Sequence, residues 1–289
     1  MTQLCLAPDA NPTAPSFAMP ANATDCHMHM FGTAPQYPYV DDRDYTPPEA
    51  NVDAVRKLYK ALGIQRVVGI QPSVYGTDNR CQLEFGAALG MPFRAIIVPA
   101  PDLTDSDLDR LHQQGVRGIR YILAHPGGLD LSGLEHDADR CRARGWHLEF
   151  LLKGPQLIEL EDRLAKLSCP VSVDHFAFIN PSDGVQHPAF QALLRLLSNG
   201  NSWAKFSGAY RAAGQAEHYD GLLPMARVMV EVNPDRIVWG SDWPHVGQMK
   251  QMPKTTPLLN LLQDWAPSDE LRRKILVDNA TVFYGFDKA

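Results

Sequence analysis

The sequence predicts an α/β fold of the (β/α)8 TIM-barrel class, eight parallel strands closed on themselves inside a ring of helices. Three observations carry that expectation. Eight short apolar runs recur along the 289 residues. Amphipathic stretches of helical period separate them, which predicts a parallel sheet. No GxGxxG or GxxxxGK[ST] segment follows any run, so the open doubly wound sheet lacks its usual phosphate loop.

The predicted strands are residues 23–30, 66–71, 93–98, 116–121, 147–152, 171–174, 202–207 and 237–240. Several read as continuous Val, Ile and Leu bounded by Gly or Pro, as strands buried on both faces should. The first helix, 52–62, places Val52, Val55, Leu58, Tyr59 and Leu62 on one face. The next, 104–114, opens on Thr104 as N-cap with Asp107 three residues on, close to a capping box. Residues 157–167, 190–197, 222–232 and 269–279 follow similar patterns. Residues 1–22 are rich in Pro and Ala, with neither the basic nor the apolar region of a signal peptide. They are expected to form an extended arm on one barrel domain spanning residues 23–289.

Composition excludes several function classes. The net charge of −6 comes with no cluster of Lys and Arg, which argues against a nucleic-acid partner. No stretch approaches the roughly 20 apolar residues that span a bilayer. Cys5, Cys26, Cys81, Cys141 and Cys169 are odd in number and never paired as CxxC, which suits a reducing, cytoplasmic setting. A monomer or a small homo-oligomer is expected.

In such a barrel the chemistry sits at the C-terminal ends of the strands. Strand 1 ends Asp25-Cys26-His27-Met28-His29. Strand alternation would turn His27 and His29 inward, and Cys26 and Met28 outward. Neutral imidazole suits Zn2+ and its neighbours, whereas two buried imidazoles without a metal would leave polar nitrogens to satisfy. Strand 6 ends at His175 and strand 8 at Asp242, with His245 three residues later. His27, His29, His175 and Asp242 therefore form a candidate site for one divalent metal.

These motifs resemble the amidohydrolase superfamily, and within it a lactone-hydrolysing branch of the pyrone-dicarboxylate and sulfomuconolactone type. The resemblance covers nearly the whole chain from residue 23. It rests on residues 25–29, Gly76-Thr77-Asp78-Asn79, Arg117-Gly118-Ile119-Arg120, Gly145-Trp146-His147, Asp174-His175 and residues 236–245. Many superfamily members hold two metals with a strand 5 His and a strand 4 Lys or Glu. Strand 4 here ends Arg120-Tyr121 and strand 5 Leu151-Leu152-Lys153, so the resemblance leaves one zinc, or a metal-independent site.

The resemblance implies hydrolysis of a small carboxylated or sulfonated lactone, such as a muconolactone, in aromatic catabolism. Asp242 and His175 would be catalytic, with His245 behind Asp242. Arg120 and Arg211 match positions that grip substrate carboxylate, and a guanidinium holds such groups in two-pronged fashion. Tyr75, Asn79 and Tyr121 are further substrate-binding candidates; Arg80, Lys205 and His125 are weaker ones. Another carboxylate-binding arginine of the pyrone enzymes falls on Pro126, which points to a different lactone. The alternatives are a sugar-acid lactone isomerase and a zinc-dependent non-oxidative decarboxylase.

Overall fold

The apolar runs form β1 (Thr24–Met28), β2 (Arg66–Ile70), β3 (Phe93–Ile97), β4 (Val116–Ile122), β5 (His147–Leu151), β6 (Val171–Val173), β7 (Ser202–Phe206) and β8 (Ile237–Trp239). The structure, a computed structural model, describes residues 2–125, 128–214 and 218–287; Pro126 lies outside the described residues. All neighbouring strands pair in parallel, in the order β1 to β8. Beyond β8 the chain meets β1 again through irregular backbone. Asp242 N donates to His27 O at 2.8 Å and His29 N to Trp243 O at 2.8 Å. One carboxylate oxygen of Asp25 accepts from both Ser241 N and His27 N. Gly240 permits this closure, because a Cβ there would stand 2.4 Å from His27 Cβ.

Helices α1 (Val52–Leu62), α2 (Arg80–Ala88), α3 (Asp105–Gln113), α4 (Leu134–Ala143), α5 (Gly154–Ala165) and α6 (Pro188–Ser198) follow strands 1 to 6. The short α7 (Ala209–Ala212) and then α8 (Leu223–Val232) follow β7. After β8 come α9 (Thr255–Asn260), α10 (Leu262–Trp265), α11 (Asp269–Arg273) and, across a π-helical turn, α12 (Asn279–Tyr284). α1 shows why they form. Asn51 caps its first turn by accepting from Ala54 N, Gly63 ends it in the left-handed region, and Val55, Leu58, Tyr59 and Leu62 are buried. Each such side chain contributes about 1.5–3 kcal/mol by leaving water. The expected capping box of α3 is present, with Thr104 and Asp107 bonded reciprocally.

Strand alternation decides what reaches the barrel interior, and β1 breaks it. Its register runs from Asp25 opposite Val67 to Met28 opposite Gly69, three residues against two. That extra residue is a β-bulge, which resets the inward face. Cys26 packs with Val68, Ile70, Ile96 and Val238 in the interior cluster, whereas Met28 belongs to the outer core. The expected outward direction of Cys26 is therefore corrected: Cys26 and His27 both face inward, one residue apart.

The arm crosses the outside of the barrel. Cys5 N donates to Thr46 O, Thr46 N to Gln3 O, and Leu6 N to Gln248 O, so residues 3–6 tie two loops at the C-terminal rim. Further along, Thr13 O accepts from Thr256 and Ser16 bonds Asn260 and Gln263.

Candidate active site

Three imidazoles converge on one carboxylate at the C-terminal end of the barrel. The Nε2 atoms of His29, His27 and His175 stand 3.6, 3.8 and 3.9 Å from Asp242 Oδ1. Their far sides are held in place. His29 Nδ1 lies 2.7 Å from Ile70 O and His175 Nδ1 2.8 Å from Ser207 Oγ. A carbonyl only accepts, so His29 carries its proton on Nδ1 and turns the Nε2 lone pair towards Asp242. At His27, Nδ1 lies 3.4 Å from Asp174 Oδ1 and 3.3 Å from Lys205 Nζ, an acceptor and a donor that compete for the same ring nitrogen. Gly208 makes room for His175, since a Cβ would stand 2.6 Å from Nδ1.

His27 Nε2 is fully buried and has no hydrogen-bond partner among the described residues. An orphaned nitrogen of that kind is costly unless something binds it. Four ligands about 2.0–2.2 Å from one tetrahedral ion stand roughly 3.3–3.6 Å apart, close to the spacing found here. His27, His175 and Asp242 each bring one ligand atom within 4.8 Å of the others and could hold one divalent cation, and His29 Nε2 lies beside them, 3.6 Å from Asp242 Oδ1. Burial, before any charge, keeps all three imidazoles below the usual histidine range, His175 at about 4, and a neutral imidazole is the form that ligates.

Asp242 is held from behind. Its Oδ2 accepts from Tyr210 OH at 2.6 Å and Arg211 Nε at 2.5 Å, while Oδ1 faces the imidazoles and accepts a longer bond from Arg211 Nη2 at 3.4 Å. Burial pushes its carboxyl up, but Arg211, then His175, His29 and His27, outweigh that and hold it well below the usual range. His175 and Asp242 have φ of 52° and 59°, in the left-handed region, and Phe176, Ala177, Phe178 and His245 share it. Non-glycine backbone there stores of order 1–3 kcal/mol per residue and clusters at working sites.

One layer deeper lies a charge network in which the sequence reading gave Glu149 and Asp174 no role. Lys205 Nζ contacts Glu149 Oε2 and lies 3.2 Å from Asp174 Oδ1. Arg120 Nη2 bonds Asp174 Oδ2 at 3.0 Å, and its Nε approaches Glu149 Oε1 at 3.5 Å. Burial, then Asp174, lifts Glu149 to about 7. An inward charge within the apolar run His147–Leu151 was the available signal for Glu149.

The pocket above the cluster has His29, His175 and Asp242 at its floor, Arg120 and Arg211 in its walls, and Tyr45, Ser73 and His125 at its rim. A roomier groove between residues 99–105 and α4 gathers none of these groups. Not all expected substrate contacts lie here. Tyr121 is one residue from the inward Arg120 and so points outward, bonding Asp137 and stacking on Phe150. Tyr75 donates to Gly32 O, and the Asn79 amide spans Thr77 and Val98. None of the three lines the pocket. Arg80 forms a surface pair with Asp78. His245 Nε2 meets Thr255 Oγ1, and its ring lies edge-on to Tyr210, so it supports Asp242 through that tyrosine.

The chain is similar to known proteins over nearly its whole length. A family model described as Amidohydrolase matches residues 24–286. A 4-sulfomuconolactone hydrolase of Hydrogenophaga intermedia is 37% identical, across 97% of this chain and 94% of its own. A 2-pyrone-4,6-dicarboxylate hydrolase of Comamonas testosteroni is 32% identical, across 95% of this chain and 94% of its own. Among solved structures, an Agrobacterium tumefaciens protein superposes with a TM-score of 0.86 at 30% identity, covering 95% of this chain and all of that one.

Proposed function

The chain belongs to the amidohydrolase family, and from that premise we propose that it hydrolyses a small carboxylated or sulfonated lactone, of muconolactone type, in the catabolism of aromatic compounds. One observation carries the reading: three Nε2 atoms converge on Asp242 Oδ1, and two of those histidines, with Asp242, line a pocket that they share with Arg120 and Arg211. Charge supports the substrate class. Lys205, Arg120 and Arg211 are balanced by Glu149, Asp174 and Asp242. A divalent ion, for which we propose zinc, would add two positive charges beside those two arginines, and an anionic lactone answers them.

When bound, the ion lowers the pKa of water towards 7 and polarises the lactone carbonyl. Asp242 would receive the water's proton on Oδ1, the oxygen facing the imidazoles, which Arg211 Nη2 approaches only at 3.4 Å while Tyr210 and Arg211 Nε hold Oδ2. The same carboxyl would then pass that proton to the departing ring oxygen. Each guanidinium has five N–H donors. The bonds from Arg120 to Gln71 and Asp174, and from Arg211 to Asp242 and Val246, leave donors for a substrate anion.

The test is to supply 4-sulfomuconolactone and 2-pyrone-4,6-dicarboxylate to protein loaded with zinc and to chelated protein. Acid release with a mass gain of one water is expected from the loaded form only. A product of unchanged mass would show isomerisation, and carbon dioxide release would show decarboxylation; either sinks the hydrolytic reading. Among the described residues no helix is long and apolar enough to cross a membrane, and all five cysteines are buried and free. Free thiols support a cytoplasmic site of action.

A further inference from the structure

His125 lies in the loop after β4 and lines the pocket with Arg120 and Arg211. Its Nδ1 stands 3.0 Å from Asp44 Oδ2, contributed by the loop between β1 and α1. Asp44 accepts, so Nδ1 carries a proton, and among the described residues Nε2 has no hydrogen-bond partner. We propose that His125, oriented by Asp44, determines specificity by binding the substrate's outer anionic group as an imidazolium, so that binding draws a proton onto the ring. This rests on the reading of the pocket as an anionic-lactone site.

The pocket's other cations are already engaged. Arg211 is paired with Asp242 and Arg120 with Asp174, both carboxylates fully buried. The counter-ion of His125 is instead a carboxylate 43% exposed to water. Three charged groups face the ring. Burial first, then Arg211 and Arg120, disfavour the charged imidazole, while Asp44 favours it; the balance lies below the usual value of 6.5. Free His125 is therefore mostly neutral at pH 7. An anion seated among the three cationic groups offsets the guanidinium repulsion and adds a second counter-charge to the ring, raising its pKa. The sign follows. The affinity gained through His125 is complete below the free pKa and is lost as pH rises through the bound pKa. Between those two values, affinity falls by at most tenfold per pH unit, the limit for one proton.

Sulfoacetate serves as probe because both its groups stay ionised from pH 6 to 8.5. Its binding to the full zinc-loaded chain is measured by calorimetry at pH 7 in bis-tris and in tris, whose ionisation enthalpies differ. A fractional proton uptake is expected in the wild type and its loss in His125→Gln. Asp44→Asn should reduce it. His125→Gln should bind about tenfold more weakly at pH 6, the scale of one charged hydrogen bond, and nearly as well as wild type at pH 8.5. Uptake unchanged in His125→Gln would place the proton elsewhere in the site and overturn the proposal. An equal loss of affinity at both pH values would do the same, since it marks a merely structural role. The experiment reads binding and not turnover, so the absence of lactone hydrolysis would refute the proposed reaction while leaving this result to stand or fall separately.

Discussion

The two ends of the barrel interior are built from opposite materials. At the N-terminal end Phe283 of α12 packs 4.0 Å from the His147 ring and 4.2 Å from Trp203, centroid to centroid, sealing the opening. Above them Cys26, Val68, Ile96 and Val238 fill the interior. Burial, then Lys205, keeps His147 well below the usual range, so the plug is uncharged. At the C-terminal end the side chains are polar, and His175–Phe178, Asp242 and His245 have positive φ; buried imidazole nitrogens without a hydrogen-bond partner occur at both ends, on His147 below and on His27 and His245 above. The Lys205 network separates the two. The difference lies in the company each imidazole keeps: His147 is packed singly among aromatic rings, whereas His27, His29 and His175 converge on one carboxylate, and it is convergence, more than an unpaired nitrogen, that marks the reactive end.

Four perturbations sharpen or break that contrast. The largest effect is expected at the top. Asp242→Asn should lower kcat by a factor on the order of 10^2–10^4, the range for a lost acid–base group, while circular dichroism shows a folded chain. Near-normal turnover would remove Asp242 from the reaction. In the middle layer, Lys205→Met strands Glu149 and Asp174 with fewer counter-charges. Denaturant unfolding should register a loss of about 3–5 kcal/mol, the cost of breaking a buried pair; a loss below 1 kcal/mol would mean that the network is not a unit.

At the bottom, Phe283→Ala should cost about 3 kcal/mol as a large-to-small change in a packed site, with unaltered metal content by elemental analysis. Loss of metal in that variant would show that the two ends are coupled. The smallest effect belongs to the outer wall, where Trp146 Nε1 donates to His112 Nδ1 at 2.8 Å. Burial, then Arg117, holds His112 below 6.5. Its contribution to stability is present above the unfolded pKa and lost as pH falls through the folded one. His112→Gln should therefore lose less stability than the wild type between pH 7 and 5; parallel slopes would dismiss the effect.

Much of this was legible in the sequence because the barrel repeats one rule. Buried parallel strands are apolar on both faces, so the eight runs coincide with the eight strands to within a residue or two at each end. His27, His29, His175 and Asp242 were visible as titratable residues at strand ends. What escaped depended on parity and partners. The β1 bulge adds one residue without any marker in the local sequence, so Cys26 was given the wrong side. Tyr121 looked like an extension of Arg120, although alternation turns it away. α2 and α4 bury Cys81, Gln82 and Gly86, or Leu134, Asp137, Ala138 and Cys141, stripes too small or too polar to stand out from a charged exterior. Arg211 read as a free clamp because its partner Asp242 lies 31 positions on.

The arm has a consequence for the order in which the molecule is completed. Cys5 meets Gly247 across 242 positions, and Asp25 meets Ser241 across 216. Contacts that distant carry the largest loop-closure entropy and form late. On a ribosome the first strand and its histidines are made early, yet their seam, their carboxylate and the strap over the rim wait for residues 241–248 to emerge. The cluster of histidines around Asp242 is thus expected to be among the last features to mature, and a chain halted before Ser241 should hold most of its helices and none of its reactivity.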